Sequence, residues 1–64
     1  MSETGYLPDN SQYIIRQNEN GMYSATRFFG DCCTDDIIIE DVTYKDAAAA
    51  VDRLALAIAE SIIG

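Results

Sequence analysis

Residues 43–63 read TYKDAAAAVDRLALAIAESII, and this stretch decides the fold class. Thr43 is a good helix N-cap, and Asp46 follows it by three residues, at the positive end of the helix dipole. Val42 and Ala47 occupy the positions of a hydrophobic staple. From Ala47 onward the chain is mostly Ala, Leu and Ile, which predicts a helix running to Ile63. At about 100° per residue, Tyr44, Ala47, Val51, Leu54, Ile58 and Ile62 share one arc. That face is expected to pack on a sheet, with Leu54 and Ile58 as large core residues. On the opposite face Ala49, Leu56 and Ile63 recur every seven residues, flanked by Ala48, Asp52, Ala59 and Glu60. One account is an Ala-rich surface that tolerates a stray Leu. The other is a self-association seam, where small side chains let a second helix come close. The seam is the reading adopted here, because a core this small gains from oligomerisation.

Upstream of the helix the chain reads as strands. Gln12–Gln17 is short, aromatic and β-branched, and Met22–Phe29 is a second such run. Between them Asn18-Glu19-Asn20-Gly21 supplies residues that tolerate positive φ, so the pair predicts an antiparallel hairpin. In the second run Tyr23, Ala25, Arg27 and Phe29 alternate with Met22, Ser24, Thr26 and Phe28, and neither set is cleanly apolar. Ile37-Ile38-Ile39 predicts a third strand near Asp36–Val42, buried on both faces. Residues 1–11 carry Gly5, Pro8, Asp9, Asn10 and Ser11 and read as a flexible arm, with residues 12–64 as the single domain. The expected fold is α+β: a three-stranded antiparallel sheet packed by one C-terminal helix.

Composition narrows the function. The chain has 64 residues, a formal charge of −7, no His and two Cys. A chain this short buries only about 60% of its unfolded surface, so its core is marginal. It is too short for a Rossmann domain, a barrel or a kinase. Four basic side chains against eleven acidic ones oppose direct nucleic-acid binding. No apolar run is long enough to span a membrane. Met1–Gly5 lacks the basic and apolar regions of a signal peptide, so a cytoplasmic location is expected. Adjacent Cys32 and Cys33 are expected to be free thiols.

No catalytic residue is assigned, since Ser24 and Ser61 have no His to activate them. No cofactor is implied, and no Gly-rich phosphate loop is present. Asp31, Asp35 and Asp36 lack the alternating ligands and central Gly of an EF-hand, and no metal site is assigned. The acids do cluster: Asp31, Asp35, Asp36, Glu40 and Asp41 lie close together, with Lys45 the one nearby base. A solvated loop that blunts an edge strand is the plain account. A recognition surface for a basic protein is the functional one, since acidic patches speed association with cationic partners.

The order of elements resembles the small HicB-type antitoxin domain over about residues 12–60. The shared residues are Tyr13, then Gly21-Met22-Tyr23-Ser24-Ala25, then Cys33 where that family's central turn ends in Gly-Cys. Thr43-Tyr44-Lys45-Asp46-Ala47 is similar to the family's Thr-x-x-Glu-Ala helix start. The family's Pro-Asp-Leu-Pro-Gly-Cys turn is replaced by Phe28-Phe29-Gly30-Asp31-Cys32-Cys33, and the spacing from Cys33 to Thr43 is longer. The resemblance implies a sheet with one packed helix, dimerisation and binding to a small basic RNase toxin. The expected function is thus a non-enzymatic, antitoxin-like module that neutralises a basic protein as a homodimer. The alternative is a small phage or mobile-element inhibitor of a host nucleic-acid-handling defence complex, an anti-CRISPR or other anti-defence protein.

Overall fold

A computed structural model describes residues 2–30 and 35–63. Four strands, β1 (Ser2–Tyr6), β2 (Gln12–Gln17), β3 (Tyr23–Phe28) and β4 (Asp35–Val42), precede one helix, α1 (Tyr44–Ile63). The strands form an antiparallel sheet in the order β1-β2-β3-β4, so β1 and β4 are its edges. The α+β class and the C-terminal helix agree with expectation. The number of strands does not: there are four, and the additional one lies in the segment read as an arm.

The fourth strand exists because both hairpins use the same turn. In each, a three-residue loop ends in a left-handed residue: Pro8-Asp9-Asn10, with Asn10 at φ 71°, and Glu19-Asn20-Gly21, with Gly21 at φ 84°. In the first loop the Asn10 amide donates to Leu7 O at 2.9 Å and the Leu7 amide to Ser11 O at 2.7 Å. In the second, the Gly21 amide donates to Asn18 O at 3.1 Å and the Asn18 amide to Met22 O at 2.7 Å. Asp9 Oδ1 accepts from the Ser11 amide at 3.0 Å, as Asn20 Oδ1 accepts from the Met22 amide at 3.0 Å. Arg27 then ties the first loop to β3. Its guanidinium pairs with Asp9, its Nε donates to Ser11 Oγ at 3.1 Å, and its Cζ lies 4.3 Å from the Phe29 ring centroid.

Helix α1 covers one face of this sheet. Leu7, Ile15, Ala25, Ala47 and Val51 form the buried core, with Tyr13, Tyr23, Ile38, Ile39, Val42, Leu54 and Ile58 half-buried around it. Of the predicted helix stripe, Ala47 and Val51 are buried, Leu54 and Ile58 are half-buried, and Tyr44 and Ile62 are exposed. For Ile62 the reason is length, whereas Tyr44 still lies against Tyr23 of the sheet. Twenty helical residues span about 30 Å, whereas a six-residue strand spans about 20 Å.

The Ile triplet is not buried on both faces. One step along β3, from Thr26 to Ala25, matches two steps along β4, from Ile37 to Ile39. This bulge leaves Ile38 without a register partner and turns both Ile38 and Ile39 toward the core, while Ile37 stays 65% exposed on the other face. A second irregularity falls near Asp41, at φ 57°. No helix among the described residues is long and apolar enough to cross a membrane.

Gly5 is fixed by its cross-strand partner. Tyr13 lies opposite it, and a Cβ on residue 5 would sit 2.6 Å from the Tyr13 ring. Gly5→Ala normally lowers unfolded-chain entropy and stabilises; here it should destabilise by about 1–3 kcal/mol through overpacking. Urea denaturation checks this, and the penalty should largely vanish in a Tyr13→Ser background. An unchanged or raised midpoint for Gly5→Ala alone would contradict the packing of Tyr13 on β1.

Candidate functional site

The predicted acidic residues are sorted by topology. Asp35, Asp36, Glu40 and Asp41 all lie on β4, an edge of the sheet; Asp31, like Cys32 and Cys33, lies outside the described residues. Asp35 is paired with Phe28 and Asp36 with Arg27 at one end, whereas Glu40 and Asp41 lie at the other. All four are exposed, and the Ile triplet separates the two pairs. They do not converge: no three His, Cys, Asp or Glu among the described residues are placed to hold one metal ion. Among those residues the single ion pair joins Arg27 to Asp9, so none of the four is paired with a cation of the described residues. Asp41 Oδ1 accepts a hydrogen bond from Asn18 Nδ2 at 3.3 Å, which links β4 to the second hairpin loop.

Ala49, Leu56 and Ile63 lie on the helix face away from the sheet. All three are exposed, Leu56 by 61% and Ile63 by 86%. Arg16 and Arg27 are not neighbours: Arg16 pairs with Ser24, Arg27 with Tyr13, and alternation puts them on opposite faces of the sheet.

Two further surfaces escape sequence reasoning. The first is the sheet face that α1 leaves open, where Ile14, Arg16, Ser24, Thr26, Phe28 and Asp35 line a groove of about 210 Å³. Alternation along β3 held the signal, since Ser24, Thr26 and Phe28 are the set left over once Ala25 is buried. The second joins the start of the helix to β1. The Tyr23 and Tyr44 rings meet edge to face, centroids 5.4 Å apart at 74°. Tyr44 Oη donates to Glu3 Oε2 at 2.6 Å. With Ser2 and buried Ile15 they line a pocket of about 300 Å³. Sequence gave no hint of it, because the pocket needs β1.

No protein family, curated protein or solved structure matches the chain. Function therefore has to be argued from these surfaces alone.

The Glu3 carboxylate holds the Tyr44 hydroxyl above the usual tyrosine range, chiefly by accepting its hydrogen bond, with desolvation adding to the effect. A raised tyrosine pKa contributes stability below the unfolded value, and this is lost as pH rises through the folded one. In an alkaline titration followed by tyrosine carbon NMR, Tyr44 should ionise above pH 10, and Glu3→Gln should bring it down. A Tyr44 titration that Glu3→Gln leaves unmoved would remove this contact.

Proposed function

We propose that the chain is a non-catalytic acidic binding module that neutralises a basic protein partner and works as a homodimer. One observation carries the first half. Four exposed carboxylates run along the edge strand β4, and no cation of the described chain pairs with them. Such an edge repels strand addition by other acidic chains and attracts cationic surfaces over a Debye length of about 8–10 Å. The partner is a small basic toxin on the antitoxin-like reading. The same edge would suit a Lys/Arg-lined channel of a nucleic-acid-handling complex, and the identity of the captured protein separates the two.

The homodimer is supported by the pattern on α1, whose outer face keeps Leu56 and Ile63 exposed. Ala49 and Ile63 lie equally far from Leu56 in opposite directions. A two-fold axis through Leu56 in an antiparallel helix pair therefore sets each Ile63 over the small Ala49 of the partner subunit. Arg53 and Glu60 share one flank of that seam, and neither has an opposite charge three or four residues away on its own helix. Across the axis each Arg53 comes beside the other copy's Glu60. Lys45 and Arg53 on α1 offset two of Asp46, Asp52 and Glu60, leaving −1 on the helix against −7 for the chain.

Two experiments test the two halves. Proteins captured on the chain from its host should be basic, should elute as salt rises, and should be lost with Asp35→Lys plus Glu40→Lys. Capture indifferent to salt and to these changes would contradict the acidic edge. Light scattering should show a dimer for the native chain and monomers for Leu56→Glu. Arg53→Glu should weaken the dimer, and adding Glu60→Arg should restore it. A native chain that stays monomeric at high concentration would remove the seam.

A further inference from the structure

We propose that the pocket walled by Tyr23, Tyr44 and Glu3 receives a cationic side chain, a lysine ammonium or an arginine guanidinium, from a basic protein. The inference rests on the reading above that the partner is basic, and it names where one of its charges is held.

Shape and chemistry agree on this occupant. The two tyrosine rings, 74° apart with centroids 5.4 Å from each other, meet edge to face, so the ring that presents its edge keeps its own faces clear of the other. The negative face of an aromatic ring attracts a cation within about 6 Å of its centroid. Ile15 lies beneath them, almost wholly buried at 2% exposure, so most of the accessible wall is tyrosine and Glu3. Glu3 stands on the rim, its carboxylate held by the Tyr44 hydroxyl at 2.6 Å. That hydrogen bond uses one of about four acceptor positions on the carboxylate, and the others can take N–H donors. A lysine or arginine fits both the rings and the carboxylate, with its methylene stem along the tyrosine wall and its charged head at a free ring face beside Glu3. A neutral aliphatic chain gains only the apolar contact with the rings, and an anion meets repulsion from Glu3 and from the free ring face. A volume of about 300 Å³ is at the lower limit of small-molecule sites, which suits a single side chain.

Position adds to this. No cation of the described chain lines the pocket. Tyr23 pairs with Val42, the residue that follows Asp41, so the pocket lies at the Glu40–Asp41 end of the sheet. A basic partner lying along β4 would have its flanking side chains within reach of it.

The test is an NMR titration of the full chain, following the tyrosine rings and the Ile15 methyls. The probes are N-acetyl-lysine amide and N-acetyl-arginine amide, with N-acetyl-norleucine amide as neutral control. The cationic probes should give saturable shifts at Tyr23, Tyr44 and Ile15, and norleucine amide should not. Glu3→Gln should weaken the probes about fivefold or more, as expected for loss of a charge-assisted contact. Tyr44→Leu should abolish binding; both residues are exposed, and Tyr44→Phe provides a second variant that keeps the ring and most of the affinity. Equal shifts with norleucine amide, shifts confined to β4, or no effect of Glu3→Gln would overturn the proposal. Should the probes miss the pocket while β4 charge reversal still abolishes capture, the pocket fails and the acidic edge stands. Should they bind while capture ignores β4, the pocket stands and the edge reading fails.

Discussion

A single helix packs on one face of a four-stranded sheet, and the contact is made close by small residues. Ala25 on β3 and Ala47 on α1 are both fully buried, so the two layers approach with little between them. The Cα envelope is only 14 Å in its thin direction, about the thickness of two layers. Ile15, Leu7 and Val51 fill what space remains. Everything else in the molecule follows from this one-sided packing. Among the described residues nothing covers the second sheet face, the helix outruns the strands, and Leu56, Ile62 and Ile63 are exposed. The five buried apolar residues among those described contribute little against the entropy of ordering a chain of this length. On the homodimer proposed above, a second copy would complete the core.

Charge is arranged around this frame in a way that separates its surfaces. The carboxylates of β4 occupy an edge, where unpaired backbone groups would otherwise invite another strand. Arg27, the cation nearest the strand's Asp35–Asp36 end in the register, is committed to Asp9 and Ser11 and serves to close the first hairpin. The helix strip is close to neutral, and the aromatic pocket carries a single carboxylate. The chain thus presents a helix face with exposed Leu56 and Ile63 and, apart from it, an acidic sheet edge.

Much of this was legible in the sequence. The helix was, because Thr43 caps it and no breaker interrupts Ala47–Ile63. The β2–β3 hairpin was, because Asn20-Gly21 marks its turn. Strand β1 was not, for two physical reasons. Its residues Ser2, Glu3, Thr4 and Gly5 carry no apolar alternation, and its turn uses Asn10 where glycine would have announced a left-handed residue. The strand is held by what lies across from it, Tyr13 over Gly5 and Tyr44 on Glu3, and such contacts have no local signature. The bulges in β4 were hidden likewise, so three consecutive Ile read as doubly buried when register alone sets Ile37 apart. The acidic residues were visible as a cluster, but only the strand order shows that they line an edge rather than form a ligand set.

The central claim is that folding and self-association are coupled because one helix cannot finish the core. Urea denaturation at protein concentrations spanning two orders of magnitude tests it most directly, since a native state that is a dimer gains stability by mass action. The account predicts a midpoint that rises steadily with concentration for the native chain and stays fixed for Leu56→Glu. A native midpoint independent of concentration, in a chain that still unfolds cooperatively, would show that the two-layer monomer is sufficient alone and contradict the account.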